Sequence, residues 1–396
     1  MSSVRRIRPR RSVSAMSAIL SAMAFLMATP GHAELPVETL TTEQLPANAE
    51  HRLYIGDPAM PHLLDGRLHV VDGTTMRYLG MIGTGFSGQS VVTPDGQHIV
   101  IATTYHSRGQ RGTRSDVVEV YRTRDLAFDH EIEIPAKHVQ GLAIRGALST
   151  TEDSRFLLVQ NATPATSISI VDLQARRFIA EVPNPGCYGV LPWNDGSRRF
   201  SSVCGDGTLS TFTLDAEGRA GPTSVSARFF DPDVDPIFMH HERMGDQLLF
   251  VSYHGQVVSV RLAGDAPSFA KPWPLVNAAE QKQGWRPGGY QLFTVDAGSG
   301  RLIVGMHAKG TEGSHKNPAQ QLWVVDLKTQ RRSARLPGHD AIAMTVTGKT
   351  SPRLVLLNGG NNTVWSFDLT TPNGLTKPLK VSAPVGETPV LLGSAS

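Results

Sequence analysis

Residues 94–121 read PDGQHIVIATTYHSRGQRGTRSDVVEVY, and this stretch decides the fold. Pro94-Asp95-Gly96 signals a tight turn, because proline presets φ and glycine accepts the left-handed conformation that closes it. His98 to Thr103 follows, with Ile99, Val100 and Ile101 as β-branched residues suited to a pleated strand. After a polar, glycine-bearing hairpin, Val117 to Tyr121 forms the next short apolar run.

The second of these strands recurs along the chain. Its copies are Leu68 to Asp72, Val117 to Tyr121, Ile168 to Asp172, Leu209 to Thr213, Val257 to Arg261, Leu322 to Asp326 and Val364 to Asp368. The copies lie roughly 40 to 50 residues apart, the period of a propeller blade, apart from one longer step before Asp326. Turn-then-strand units precede them, as at Phe156 to Gln160, Leu302 to Met306 and Leu354 to Leu357, and third strands follow, as at Arg77 to Ile82 and Phe178 to Val182. Such a unit cannot bury both faces alone; radial stacking buries them and leaves short edges. The expectation is an all-β, seven-bladed β-propeller of four-stranded antiparallel sheets over residues 51–396. Arg52 to Ile55 and Val390 to Leu392 are expected to pair and close the ring. A sandwich also gives alternating strands, but not seven copies in phase. The longer step places an insertion near Pro272 to Tyr290, in the loop Ala308 to Ala319, or in both; loops beyond what a scaffold needs are often functional.

The first 33 residues read as an export signal: Arg5, Arg6, Arg8, Arg10 and Arg11, an apolar Val13 to Ala28, then Gly31-His32-Ala33 before Glu34. An ordinary secretory route is expected over a twin-arginine one, and residues 34–50 form an N-terminal arm. The apolar run is too short and serine-rich for a membrane span, so no membrane insertion is expected. Export implies the periplasm. The net charge of +3 owes its sign to the leader arginines, so the mature chain carries no basic footprint for nucleic acid. Cys187 and Cys204, the only two cysteines, flank turn chemistry at Trp193 to Gly196 and read as one disulfide in an oxidising compartment. Free thiols or metal ligands are the rivals, and C-x-x-C spacing is missing.

Self-contained chemistry is not visible. His307 and His315 flank a loop with Lys309, Glu312 and Lys316, but their spacing suits no chelate, and bracing of a long loop is the expectation. His240-His241 on a strand would point to opposite faces. Asp231-Pro232-Asp233-Val234-Asp235-Pro236 lacks the glycine and terminal glutamate of a calcium loop and reads as a stiffened turn. Tyr105-His106 with Arg108, Arg111 and Arg114 forms a basic loop, either solvated or docking a partner. No G-x-S-x-G elbow or phosphate loop occurs. We expect no catalytic, cofactor-binding or metal residues on this chain.

Several segments resemble the heavy subunit of amine dehydrogenases that use tryptophan tryptophylquinone. They are GMHAKGTEGSHKNPAQQLWVVD from Gly305 to Asp326, Gly284 to Tyr290, Pro185-Gly186-Cys187-Tyr188, Cys204 to Leu209, Thr103-Thr104-Tyr105-His106 and Arg114 to Val120. Gln160 to Ile168, Asp235 to Phe238 and Pro337 to Thr345 are more similar to the aralkylamine branch, with methylamine dehydrogenase heavy chain next. The departures lie at Ala308 to Glu312 and Gln281 to Gly284.

The resemblance implies a periplasmic assembly of two heavy and two light chains that converts primary amines to aldehydes plus ammonia. The quinone lies on the light chain, and electrons pass to a blue copper protein of azurin or amicyanin type. The heavy chain then supplies a platform and part of the substrate channel. Phe86, after what reads as a Gly-rich turn at Gly83-Thr84-Gly85, is similar to the family residue at the channel mouth; an ordinary core phenylalanine is the plain alternative. A stand-alone binding or scaffold propeller is the alternative at the level of the whole chain.

Overall fold

Strands with apolar side chains on both faces require a layer on each side, and the chain supplies one by repeating a single unit. The computed structural model describes residues 43–46 and 50–394. The leader read over residues 1–33, and most of the arm, lie outside them.

Four-stranded antiparallel meanders follow one another. The first comprises Leu391–Ser394, Arg52–Asp57, Gly66–Asp72 and the opening half of Tyr78–Val92. The second takes the remainder of Tyr78–Val92, then His98–His106, Arg114–Arg122 and Phe128–Ile134. Leu148–Thr150, Phe156–Asn161, Ser167–Asp172 and Arg177–Pro183 form the third, and Cys187–Pro192, Arg199–Cys204, Leu209–Thr213 and Ser224–Val225 the fourth. Ile237–Met244, Gln247–Ser252, Gln256–Arg261 and Ser268–Phe269 form the fifth. The sixth runs through Phe293–Asp296, Arg301–His307, Ala319–Asp326 and the opening half of Arg331–Thr347. That strand's second half begins the last sheet, with Arg353–Asn358, Val364–Asp368 and Lys380–Val381. Every recurring strand quoted from the sequence is present in register. The two chain ends also pair as expected, with Ile55 opposite Leu392.

Side-chain alternation accounts for the packing. Leu157 and Val159 point one way, into a core with Val100, Ala102, Val118 and Val120 of the preceding sheet. Their neighbours Phe156 and Leu158 point the other way, onto Val190, Phe200 and Phe212 of the following sheet. The pattern recurs at Leu248 and Phe250 against the fourth sheet, and at Leu249 and Val251 against the sixth. It recurs again at Val355 and Leu357, which meet Leu53, Ile55 and Val71 of the first sheet. Each fully buried aliphatic side chain of this kind contributes about 1.5–3 kcal/mol. A one-residue slip in any strand would exchange the two cores it serves.

Candidate functional site: the loop-bearing ends of the sheets

In an antiparallel meander, successive links alternate between two ends. One end carries tight turns such as 93–97, 151–155, 193–198 and 297–300. The opposite end carries segments 58–65, 107–113, 135–147, 226–236, 270–292 and 308–318. Both anticipated insertions are present there. The first includes the helix Ala278–Lys282, started by a capping box in which Asn277 accepts from the Glu280 N–H and Glu280 accepts from the Asn277 N–H. Glu280 is buried and also accepts hydrogen bonds from Arg332 and Arg335, whose guanidiniums lie over Trp323. The second insertion is tied to the first by Gly310 N–H donating to Gly284 O at 2.7 Å and Gly289 N–H to His315 O at 3.0 Å.

Phe86 lies at this end. The Gly83–Phe86 segment is not the turn its glycines suggest. It is the point where the continuous strand Tyr78–Val92 leaves one sheet and enters the next, with a register shift between Phe86 and Gln89. Glycines serve the crossing: Gly85 has φ +59°, and a Cβ on Gly88 would lie 2.1 Å from Thr84 O. Phe86 is half-buried, opposite Thr104, with its ring edge-on to His106 at 6.4 Å. Among the described residues it belongs to none of the apolar core clusters.

The basic loop divides in two. Arg114 grips Asp116 through two hydrogen bonds of 2.7 and 2.6 Å and donates to His138 O, so it is structural. Arg108 and Arg111 stand exposed at the hairpin tip. Beside them, Tyr105 and Tyr121 both donate to the buried Glu119 carboxylate, at 2.7 and 3.0 Å. Burial, then Glu119 itself, pushes the Tyr105 phenol well above its usual range.

The other titratable residues brace loops. His307 Nε2 shares a hydrogen bond with Ser314 Oγ at 3.0 Å, and His315 stacks on Tyr253 at 5.2 Å. His240 Nε2 donates to Phe293 O at 2.8 Å. On the opposite face of the strand, His241 is held neutral by burial and by the positive charge of Arg145. Asp231 accepts the Asp233 N–H, and Asp235 accepts from the Ser252 hydroxyl and the His254 N–H, as a stiffened turn requires. Cys187 and Cys204 stand opposite each other on neighbouring strands and form the disulfide.

Two groupings carried no signal in the sequence. Asp57 is buried and accepts N–H groups of Ala59, Glu387 and Thr388, with His69 Nε2 at 3.3 Å. Burial alone would raise its pKa, but the His69 and backbone hydrogen bonds outweigh it and hold the carboxyl well below the usual carboxylate range. The second grouping lines a cavity of about 420 Å³ between first strands of several sheets: Arg145, which pairs with Glu242 at 2.8 Å, and Arg243.

Nor do the indoles offer a quinone site. Trp193 and Trp323 are fully buried and donate to Ser201 Oγ and Gln321 Oε1. The Trp285 and Trp323 rings approach to 5.4 Å, but guanidiniums cover both. The residues present therefore do not fit a resident tryptophan-derived cofactor.

The architecture recurs in solved structures. The dihydro-heme d1 dehydrogenase NirN aligns with a TM-score of 0.56 and 13% identity, over 90% of this chain and 78% of that one. The β-propeller domain of Myceliophteria thermophila Cps50 (Swd1) aligns at 0.55 and 10%, over 84% and 99%. At such identities the likeness concerns the fold alone. Fold and site together thus define a propeller-like all-β protein with long loops at one end of its sheets.

The sequence comparisons are more specific. The methylamine dehydrogenase heavy chain family model matches residues 49–391, and the chain belongs to that family. Methylamine dehydrogenase heavy chains from Methylobacillus flagellatus and Methylophilus methylotrophus are 28% and 27% identical, covering 85% and 88% of this chain and 83% and 86% of theirs. The heavy chain from Paracoccus versutus is 27% identical, covering 83% of this chain and 76% of its own. These names favour the methylamine branch over the aralkylamine branch that the internal segments suggested.

Proposed function

We propose that this chain is the non-catalytic heavy subunit of a periplasmic amine dehydrogenase of methylamine dehydrogenase type, exported by its N-terminal leader. The match to the heavy-chain family over residues 49–391 carries the proposal. In this reading two heavy and two light chains assemble, and the light chain holds the tryptophan tryptophylquinone. That group supplies the oxidation of a primary amine to aldehyde plus ammonia, and a blue copper protein takes the electrons. The present chain supplies rigidity and a docking surface. The sheets close into a seven-bladed ring, a reading supported by the packing of the last sheet on the first and by the pairing of Leu53–Gly56 with Leu391–Ser394.

Phe86 walls the mouth of the substrate channel. A half-buried aromatic outside the core, at a sheet-to-sheet crossing on the loop-bearing end, offers a flat apolar face to the carbon side of an amine.

The test is purification from the native host followed by amine-dependent dye reduction. Co-purification of a small cysteine-rich chain, quinone absorbance, and turnover of methylamine faster than phenethylamine are expected. A stable, colourless monomer would overturn the proposal and leave a stand-alone scaffold. Preference for phenethylamine would return the chain to the aralkylamine branch.

A further inference from the structure

The face of the first sheet that meets the last sheet carries three polar side chains in contact, one from each of three neighbouring strands. Asp57 ends Arg52–Asp57, His69 lies within Gly66–Asp72, and Tyr78 opens Tyr78–Val92. Strand alternation places Asp57 and His69 on the face of Ile55 and Val71, which pack on the last sheet. The third placement needs an irregularity. His69 stands opposite Met81, and strict alternation from Met81 would send Tyr78 to the other face. The register shift between Val70 and Val71 absorbs one extra residue, sends Leu79 into the core with Ile82, and brings Tyr78 beside His69.

The contacts form one directed chain. Tyr78 Oη lies 2.9 Å from His69 Nδ1, and His69 Nε2 lies 3.3 Å from the Asp57 carboxylate. An ionised carboxylate only accepts, so Nε2 carries the imidazole proton, Nδ1 offers its lone pair, and the Tyr78 hydroxyl donates. Asp57 is itself fixed by the N–H groups of Ala59, Glu387 and Thr388. Gly386 closes over the pair: a Cβ there would lie 2.5 Å from the Asp57 carboxylate and 2.9 Å from His69 Nε2. His69 is buried, whereas Tyr78 is 49% exposed and borders an open groove with His62, Arg67, Met81 and Glu387. A hydroxyl within reach of a base that a third group orients is the arrangement of an activated nucleophile. Burial raises the phenol's pKa and the Arg67 charge opposes this, so the proton leaves during attack rather than before it.

We infer that Tyr78 is the nucleophile of an acyl-transfer site, with His69 as its general base and Asp57 as the residue that positions His69. The groove takes an activated ester. The phenol oxygen bonds to the ester carbonyl carbon as its proton passes to His69 Nδ1. The C–O bond to the leaving alcohol then breaks, and that oxygen takes the proton from the imidazolium, leaving Tyr78 acylated. No electron changes hands, so the step is separate from amine oxidation.

Treatment of the purified full chain with p-nitrophenyl acetate, with acetylated residues located and timed by mass spectrometry, tests it. Tyr78 should be acetylated about tenfold or more faster than Tyr105, which is similarly exposed at 42% but donates to Glu119. His69→Gln should slow Tyr78 by about tenfold or more and leave Tyr105 unchanged. Equal rates at Tyr78 and Tyr105, or an unchanged Tyr78 rate in His69→Gln, would overturn the assignment. Should His69→Gln fail to fold, the unaltered chain decides the matter. Tyr78 should react faster in the folded chain than in guanidinium chloride, because only the folded chain holds the base beside it. A Tyr78 that reacts no faster when folded would refute the assignment.

Discussion

At the turn-bearing end of the third sheet, Thr151 reverses the chain by local means: its hydroxyl donates to Asp153 at 2.6 Å and accepts from the Phe156 N–H. At the loop-bearing end, the segment 135–147 is held from afar, with Arg114 donating to His138 O and Asp116 accepting the His138 N–H across 22 residues. Particular glycines show the same contrast. Gly96, Gly196 and Gly300 adopt positive φ with open space where a Cβ would sit. At the other end a Cβ on Gly288 would come 2.7 Å from Asn317 O, and one on Gly338 would come 2.1 Å from Ala319 O. At these positions the turns need only a conformation, whereas the loops need their surroundings. Substitutions should therefore be tolerated unequally by the two ends.

Asp57 should be the most sensitive position. Asp57→Ala would leave the Ala59, Glu387 and Thr388 N–H groups and the His69 ring without their acceptor, and would remove the carboxylate that ties Ala59 to Glu387 and Thr388. About 3–5 kcal/mol of stability should disappear, read as a drop in denaturation midpoint. Loss below 1 kcal/mol would mean that the loop-bearing end is not held by long-range contacts. Opening the disulfide with Cys187→Ser and Cys204→Ser together should cost ~3 kcal/mol, because a closed loop of 17 residues is released in the unfolded chain.

The pH dependence comes next. Burial holds His138 down to about 4 from an ordinary 6.5, and the nearby Asp116 charge only partly opposes this. An unfolded imidazole takes up its proton as pH falls through 6.5, while the folded one resists until about 4. The unfolded state thus binds more protons over that window, and stability falls as pH drops from about 6.5 to about 4. His138 alone should remove ~2 kcal/mol between pH 7 and pH 5. His138→Phe should flatten that part of the melting-temperature profile, leaving the same-signed contributions of buried His240 and His241. An unchanged slope would show that His138 gains a proton-accepting partner the described contacts do not include.

The same contrast explains how much was legible in the sequence. Leu209 to Thr213 and Val364 to Asp368 read as strands because alternation is a local property, and they occupy those residues. Asp-Gly turns are local as well. Gly83-Thr84-Gly85 misled because glycine serves equally a turn and a bulged crossing, and only the partner strands distinguish them. Asp57 and Arg243 gave no signal, since their partners lie up to 331 and 51 residues away and include backbone atoms that any residue supplies. The cysteine pair, although long-range, was readable because no other pairing was available.

Phe86→Ala tests whether the loop-bearing end also sets substrate choice. On the proposed reading it should change kcat/KM for arylalkyl relative to small alkyl amines by about tenfold, the worth of one apolar wall, with assembly intact. Identical selectivity would remove Phe86 from the channel and leave it a half-buried residue at a strand crossing.

The smallest effect belongs to the turn-bearing end, and it is the sharpest control. Gly196 sits at φ +73° with nothing within 4 Å of an added Cβ. Its N–H donates to Glu152 at 2.9 Å, a contact that alanine keeps. Gly196→Ala should therefore meet only the left-handed conformational penalty of about 1 kcal/mol. Gly338→Ala adds a methyl with no φ penalty, yet must displace backbone at Ala319, and should cost more despite identical chemistry. Chemical denaturation of the two variants side by side measures the difference. If Gly196→Ala proved the more damaging, conformation rather than surroundings would govern both ends, and the asymmetry drawn between them would fail.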